Sequence, residues 1–135
     1  MEKLHFLVEV PVSSYIGARG DLGVCELEGV IPFSVKRTYF ISNVPKSEIR
    51  GQHGHKLLQQ VFICIKGTFQ LEVTDGNNVD RQFLCQHQAF YSPSGMWREL
   101  SDFSEDAICL VLASDTYDVS DYIFDYSEFL SWKST

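Results

Sequence analysis

A single all-β domain with a short helical tail is the fold class this sequence predicts, and three features predict it. Short runs rich in Val, Ile, Phe, Tyr and Leu recur along the chain, each bounded by Gly, Pro, Asn, Asp or Ser. Sustained helical periodicity is absent until the C-terminus. The 135 residues suit one domain, and no linker, repeat or low-complexity tract divides them, so the domain is taken as 1–135. Regularly spaced short strands with turn signals point to a barrel or a sandwich.

In chain order, a first strand is expected over 4–10, followed by LGVCEL (22–27) and VKRTYFI (35–41). QVFICIKG (60–67) is almost continuously apolar, and TFQLEVT (68–74) alternates Phe69, Leu71 and Val73 against polar residues, with the period of a half-buried strand. Asp75-Gly76-Asn77-Asn78 supplies a hairpin turn, since these residues tolerate positive φ. VDRQFLC (79–85), AFYSPS (89–94) and DAICLVLAS (106–114) complete the strand set. Tyr122, Tyr126 and Phe129 then fall at i, i+4 and i+7, so a short helix is expected over 120–133 with Ser120 as its N-cap. Asp115, Asp118 and Asp121 read as turn and capping residues, because the glycine and closing glutamate of a calcium loop are missing.

Composition removes several classes of function. The net charge of −7 argues against nonspecific binding to nucleic acid or anionic membranes, though not against one local basic pocket. The four cysteines form no C-x-x-C pair, and Cys64 and Cys109 sit in apolar runs, as reduced cytosolic thiols do. MEKLHFLVEVPVSS lacks the long apolar stretch of a signal peptide, and no run approaches the roughly 20 residues of a membrane helix. A soluble cytoplasmic protein is expected.

The segment most informative about chemistry is IRGQHGHKLLQQVFICIKG (49–67). In an extended chain His53 and His55 project from the same face, so both imidazoles can enter one interior. A convergent pair of side chains titrating near neutral pH is a natural proton-transfer device. By itself H-x-H is also what two surface histidines at a strand entrance would look like. Arg98, similarly, reads either as an ion pair with Glu99 or Asp102 or as a cation aimed at a site.

G-x-H-x-H-x4-Q-x6-G resembles the first cupin motif, and YSPSGMWREL (91–100) resembles the second, which implies a cupin jelly-roll barrel. Two departures bear on the chemistry. Gln60 stands where the motif has glutamate, and Arg98 where it has histidine. A neutral amide is a weak ligand, and a permanent cation repels a divalent ion, so no metal and no cofactor is expected. A fixed guanidinium instead suits an oxyanion formed when a carbon beside a carbonyl loses its proton.

From Ile31 to Tyr126 the chain is similar to the dTDP-4-dehydro-6-deoxyglucose 3,4-ketoisomerases, the WxcM-like sugar ketoisomerases. The matching segments are IPFSVKRTYFI (31–41), RGQHGHKLLQQV (50–61), ICIKG (63–67), SPSGMWREL (92–100) and LVLASDTYDVSDYI (110–123), with RGDLG (19–23) fitting as well. The resemblance implies a homodimer, a dTDP-linked keto-sugar substrate and histidine chemistry without metal. It places His53, His55 and Tyr39 among the catalytic residues. It sets Arg19, Arg37, Arg50, Lys56, Gln60 and Arg98 along the substrate, although Lys56 reads equally as a solvated charge. Within the family Arg98 matches the branch that makes the gluco 3-keto product, and Arg19 the galacto branch, so the product epimer stays open. Trp97 and Tyr91 could stack on a ring or pack in the core; His5 and His87 read as exposed or structural. The alternatives are a nucleotide-sugar binding module without turnover, and a metal-dependent cupin dioxygenase, which Gln60 and Arg98 disfavour.

Overall fold

The computed structural model describes residues 6–135. Among these residues twelve strands form: β1 (Val8–Val10), β2 (Ser13–Gly17), β3 (Gly20–Val24), β4 (Arg37–Ser42), β5 (Arg50–His55), β6 (Gln60–Lys66), β7 (Thr68–Thr74), β8 (Val79–Cys85), β9 (Ala89–Ser92), β10 (Trp97–Ser101), β11 (Ile108–Ala113) and β12 (Tyr122–Ile123). A 3₁₀ turn covers Val119–Asp121, and one helix, α1 (Tyr126–Lys133), ends the chain. The predominance of strands with a small helical tail is as expected. Part of the first predicted strand, and His5 with it, lies outside the described residues.

The strands assemble into two five-stranded sheets, ordered β1-β9-β6-β11-β4 and β12-β5-β10-β7-β8, with β2 and β3 forming a separate hairpin. The closed cupin barrel expected from the sequence is therefore not formed. Both sheets are open: β1 and β4 bound the first, β12 and β8 the second, and no ladder among the described residues joins one sheet to the other. Two of these edges are only two and three residues long, at β12 and β1, too short to carry hydrogen bonding around a closed circuit. The result is a sandwich.

Inward-facing side chains of the two sheets share one core: Phe62, Cys64, Cys109 and Val111 from the first, Phe69, Leu71, Val73, Leu84 and Leu100 from the second. The continuous apolar run of β6 has a simple cause. Its other face, with Val61 and Ile63, is covered by Cys25, Leu27, Ile31 and Phe33, so β6 is buried on both sides. Behind the second sheet α1 packs Phe129 against Trp97 and Ile123, and Tyr91 donates to Gln59 Oε1 at 2.7 Å. Both aromatic side chains considered for stacking are thus packing residues. All four cysteines are free. No helix among the described residues is long and apolar enough to cross a membrane.

Two further expectations are corrected. Ser120 does not cap the helix; Asp125 does, its carboxylate accepting from Glu128 N at 3.0 Å. The intended first turn is diverted because Tyr122 and Ile123 pair with His55 and Gly54 of β5. β10, which carries Arg98, is a strand where the sequence showed only a motif. Short and flanked by turns, WRELS becomes a strand by pairing on both sides, with β5 and β7.

Candidate active site

At one end of the sandwich the apolar interior gives way to polar side chains. Gln60 and Phe62 share the inner face of β6, Arg37 and Tyr39 that of β4, and His53 with His55 that of β5. Arg98 of β10 lies directly across from His53 in the ladder. A bulge at this point, where the register shifts between Arg98 and Glu99, leaves Gln52 without a partner. Gly51 (φ +91°) and Gln52 (φ +45°) take the left-handed conformations it requires, turning the rest of β5 into the interior.

One nitrogen organises the cluster. Arg98 Nη2 donates to His53 Nε2 at 2.9 Å, to Tyr39 Oη at 3.1 Å and, more weakly, to His55 Nε2 at 3.5 Å. Arg98 is only 5 % exposed, its guanidinium lies over the Phe62 ring, and its Nε has no hydrogen-bond partner among the described residues. Gln60 Nε2 donates to Tyr39 Oη at 2.7 Å. The phenol oxygen thus accepts twice, and its own proton is left to donate elsewhere. Burial raises the Tyr39 pKa, so the phenol keeps that proton at neutral pH.

Burial and the Arg98 charge both work against protonated imidazole. They lower His53 to about 4, although the Gly51 carbonyl, accepting from its ring, pulls the other way. His55 is lowered to about 2 by burial, Arg98, His53 and Arg37. Both rings are neutral bases at pH 7. They stand edge to face with centroids 5.0 Å apart, and Tyr122 packs on both, at 4.4 Å from His55 and 4.9 Å from His53.

An open cleft of about 270 Å³ lies over this cluster, lined by Arg37, Tyr39, Arg50, His53, Arg98, Tyr117 and Tyr122 among others. Five of the nine residues expected from the sequence line it: His53, Tyr39, Arg37, Arg50 and Arg98. His55 and Gln60, each 3 % exposed, stand behind it and hold Arg98 and Tyr39. Arg19, exposed on the turn between β2 and β3, and Lys56 are not among the lining residues. A cupin-type metal does not fit this donor set, since both histidine Nε2 atoms already face a guanidinium.

Three residues of the site escape the sequence reading: Tyr117 and Tyr122, which line the cleft, and Asp121 beneath it. By sequence Tyr122 fits a helix and Asp121 a turn or cap, yet Asp121 Oδ2 lies 3.2 Å from His55 Nδ1. Their one signal was their place inside the matching run 110–123.

Comparison with known proteins identifies the family. The family model described as FdtA, WxcM-like, C-terminal, matches residues 5–134. The TDP-4-oxo-6-deoxy-alpha-D-glucose-3,4-oxoisomerase of Aneurinibacillus thermoaerophilus is 41% identical over 115 residues, covering 84% of this chain and 83% of the relative. A 3,4-ketoisomerase from Helicobacter canadensis superposes with a TM-score of 0.89 at 34% identity, over 98% of this chain and all of that one. The 3,4-ketoisomerase QdtA of Thermoanaerobacterium thermosaccharolyticum, solved as a histidine-to-asparagine mutant with TDP-4-keto-6-deoxyglucose, gives 0.88 at 32% identity, over 97% and 96% of the two chains. The chain belongs to the WxcM-like family of cupin sugar 3,4-ketoisomerases.

Proposed function

We propose that this protein moves the carbonyl of a TDP-4-keto-6-deoxyhexose from C4 to C3, in the cytoplasm, on the way to a 3-amino deoxysugar for a surface polysaccharide or a glycosylated product. The observation that carries this reading is the convergence of Arg98 Nη2, the two histidine Nε2 atoms and Tyr39 Oη at the floor of the cleft. Of the two imidazoles His53 lines the cleft while His55 is buried behind it, which favours His53 as the base.

When the C4 carbonyl oxygen accepts the Arg98 N–H, the His53 Nε2 lone pair is released from that contact. It then takes the proton from C3, the C3–H electrons form the C3=C4 double bond, and O4 becomes an oxyanion facing Arg98 and the Tyr39 hydroxyl. O4 then takes up a proton, O3 loses its own as the C3=O bond forms, and the electrons of the C3=C4 bond accept at C4 the proton held by His53, which leaves the carbonyl at C3 and a hydroxyl at C4. No electron donor or acceptor is consumed. Arg37 and Arg50 on the cleft wall suit the pyrophosphate, which arginine forks bind in pairs of hydrogen bonds.

A homodimer is part of the proposal. Tyr15, Ile16 and Leu22 of the hairpin and Val8 of β1 are all more than half exposed, and a second copy would cover them. Incubation with TDP-4-keto-6-deoxyglucose, followed by NMR, should show the 3-keto sugar and identify its C4 epimer. Tight binding of TDP with unconverted substrate would replace this reading with a binding module.

A further inference from the structure

His55 is bracketed by two neighbours of fixed hydrogen-bond character. On its Nδ1 side stands Asp121, a carboxylate that can only accept; on its Nε2 side stands Arg98, a guanidinium that can only donate. A neutral imidazole satisfies both in one tautomer alone, with the proton on Nδ1 and the lone pair on Nε2. We propose that Asp121 is a positioning residue that locks His55 as the Nδ1–H tautomer and, through it, holds Arg98 over the reacting carbons. The proposal rests on the ketoisomerase reading only for what Arg98 does once it is held.

The local structure fixes the carboxylate from several directions. Oδ1 accepts from Leu57 N at 2.7 Å, and Oδ2 accepts from Leu58 N at 3.2 Å as well as facing His55. The Asp121 carbonyl accepts from Lys56 N at 3.0 Å, and the next residue, Tyr122, pairs with His55 in the β5–β12 ladder. Upstream, Asp118 closes the 3₁₀ turn by accepting from Ser120 N and Oγ at 3.0 and 2.7 Å. The carboxylate therefore sits at the one point where the turn after β5 and the turn before β12 meet.

With the proton on Nε2 instead, an N–H would point at Arg98 Nη2, and one of the three acceptors that aim the guanidinium would be gone. Nothing in this requires Asp121 to touch substrate. The arrangement also separates the two histidines. Among the described residues no carboxylate stands behind His53: its Nε2 faces Arg98, and a backbone carbonyl accepts from its ring.

Asp121→Asn tests this directly. An amide has one acceptor atom, so keeping the bond from Leu57 N turns its NH₂ towards His55 Nδ1 and favours the opposite tautomer. In ¹H–¹⁵N spectra of the imidazoles, taken without substrate, the wild-type His55 proton should be on Nδ1, and in the variant on Nε2. Turnover should fall by about 10²–10⁴-fold, in the range that a mis-set histidine tautomer or a lost proton-transfer group produces, with little change in TDP affinity. Asp121→Glu, which keeps a carboxylate, should recover part of the loss. A wild-type His55 protonated on Nε2 would overturn the proposal whether or not the variant folds. So would a variant with unchanged kcat, or one that loses activity with the His55 tautomer intact, which would make Asp121 a loop residue only. Wild-type protein without isomerase activity would instead refute the function, leaving the tautomer measurement standing.

Discussion

Protonating either imidazole is harder in the folded chain than in an unfolded one, and this ties stability to pH in a defined direction. His53 at about 4 and His55 at about 2 lie below the ordinary histidine value of about 6.5. Below pH ~6.5 the unfolded chain binds protons that the folded chain refuses, so stability should fall as pH drops through that value and on towards 4. Above it both states are neutral and the pair contributes no slope. Urea midpoints measured from pH 7.5 to 4.5 should show this decline, and the His53→Asn, His55→Asn double variant should lose part of it. For catalysis, His53→Asn keeps polarity and removes the proposed base. Its kcat should fall by about 10²–10⁴-fold while TDP affinity barely changes. A His53→Asn protein with full turnover would remove His53 from the mechanism.

At the scale of an element, β5 explains why the histidine pair is written with a glycine between its members. His53 and His55 face the interior, so residue 54 faces outward, where α1 lies. A Cβ at Gly54 would stand 2.8 Å from Phe129 Cδ1 and 3.5 Å from the Met96 carbonyl. Phe129 is fully buried between Trp97 and Ile123 and has nowhere to move. Gly54→Ala should therefore cost about 1–3 kcal/mol, as overpacking does, in urea unfolding. Because the same strand carries both imidazoles, kcat/KM should drop too, although no polar group has been altered. Unchanged stability in Gly54→Ala would mean that α1 is not braced against β5.

For the molecule as a whole, substrate binding and assembly are the measurable quantities. A cleft with two arginines on its wall should take TDP by itself. TDP at 100–1,000 times its dissociation constant should then raise stability by about 2.7–4.1 kcal/mol. A thermal scan without any shift would count against Arg37 and Arg50 as phosphate ligands. The exposed apolar side chains of the hairpin predict a dimer in sedimentation at micromolar concentration, and a monomer there would leave Tyr15, Ile16 and Leu22 without an occupant. Dissociation by charge substitution at Ile16 should also show whether Arg19, on the same hairpin, matters for turnover.

What the sequence alone determined is local in origin. Alternating and continuous apolar runs specify strands because each reflects one or two buried faces, and β6 and β7 are where expected for that reason. The pair His53 and His55 shares a face by the two-residue period of a strand, and Arg37 with Tyr39 likewise. Matching segments then carried most of the cleft and the family. Only tertiary structure decided the rest. Whether the sheets close into a barrel depends on ladders between edges far apart in the chain, and two short edges left the sandwich open. Tyr122 and Ile123 fit a helical pattern, yet the unpaired edge of β5 claimed their backbone. Asp121 and His55 are 66 residues apart in sequence. No periodicity could bring them together, because their contact comes from the β5–β12 pairing, a long-range hydrogen-bonded register within the second sheet.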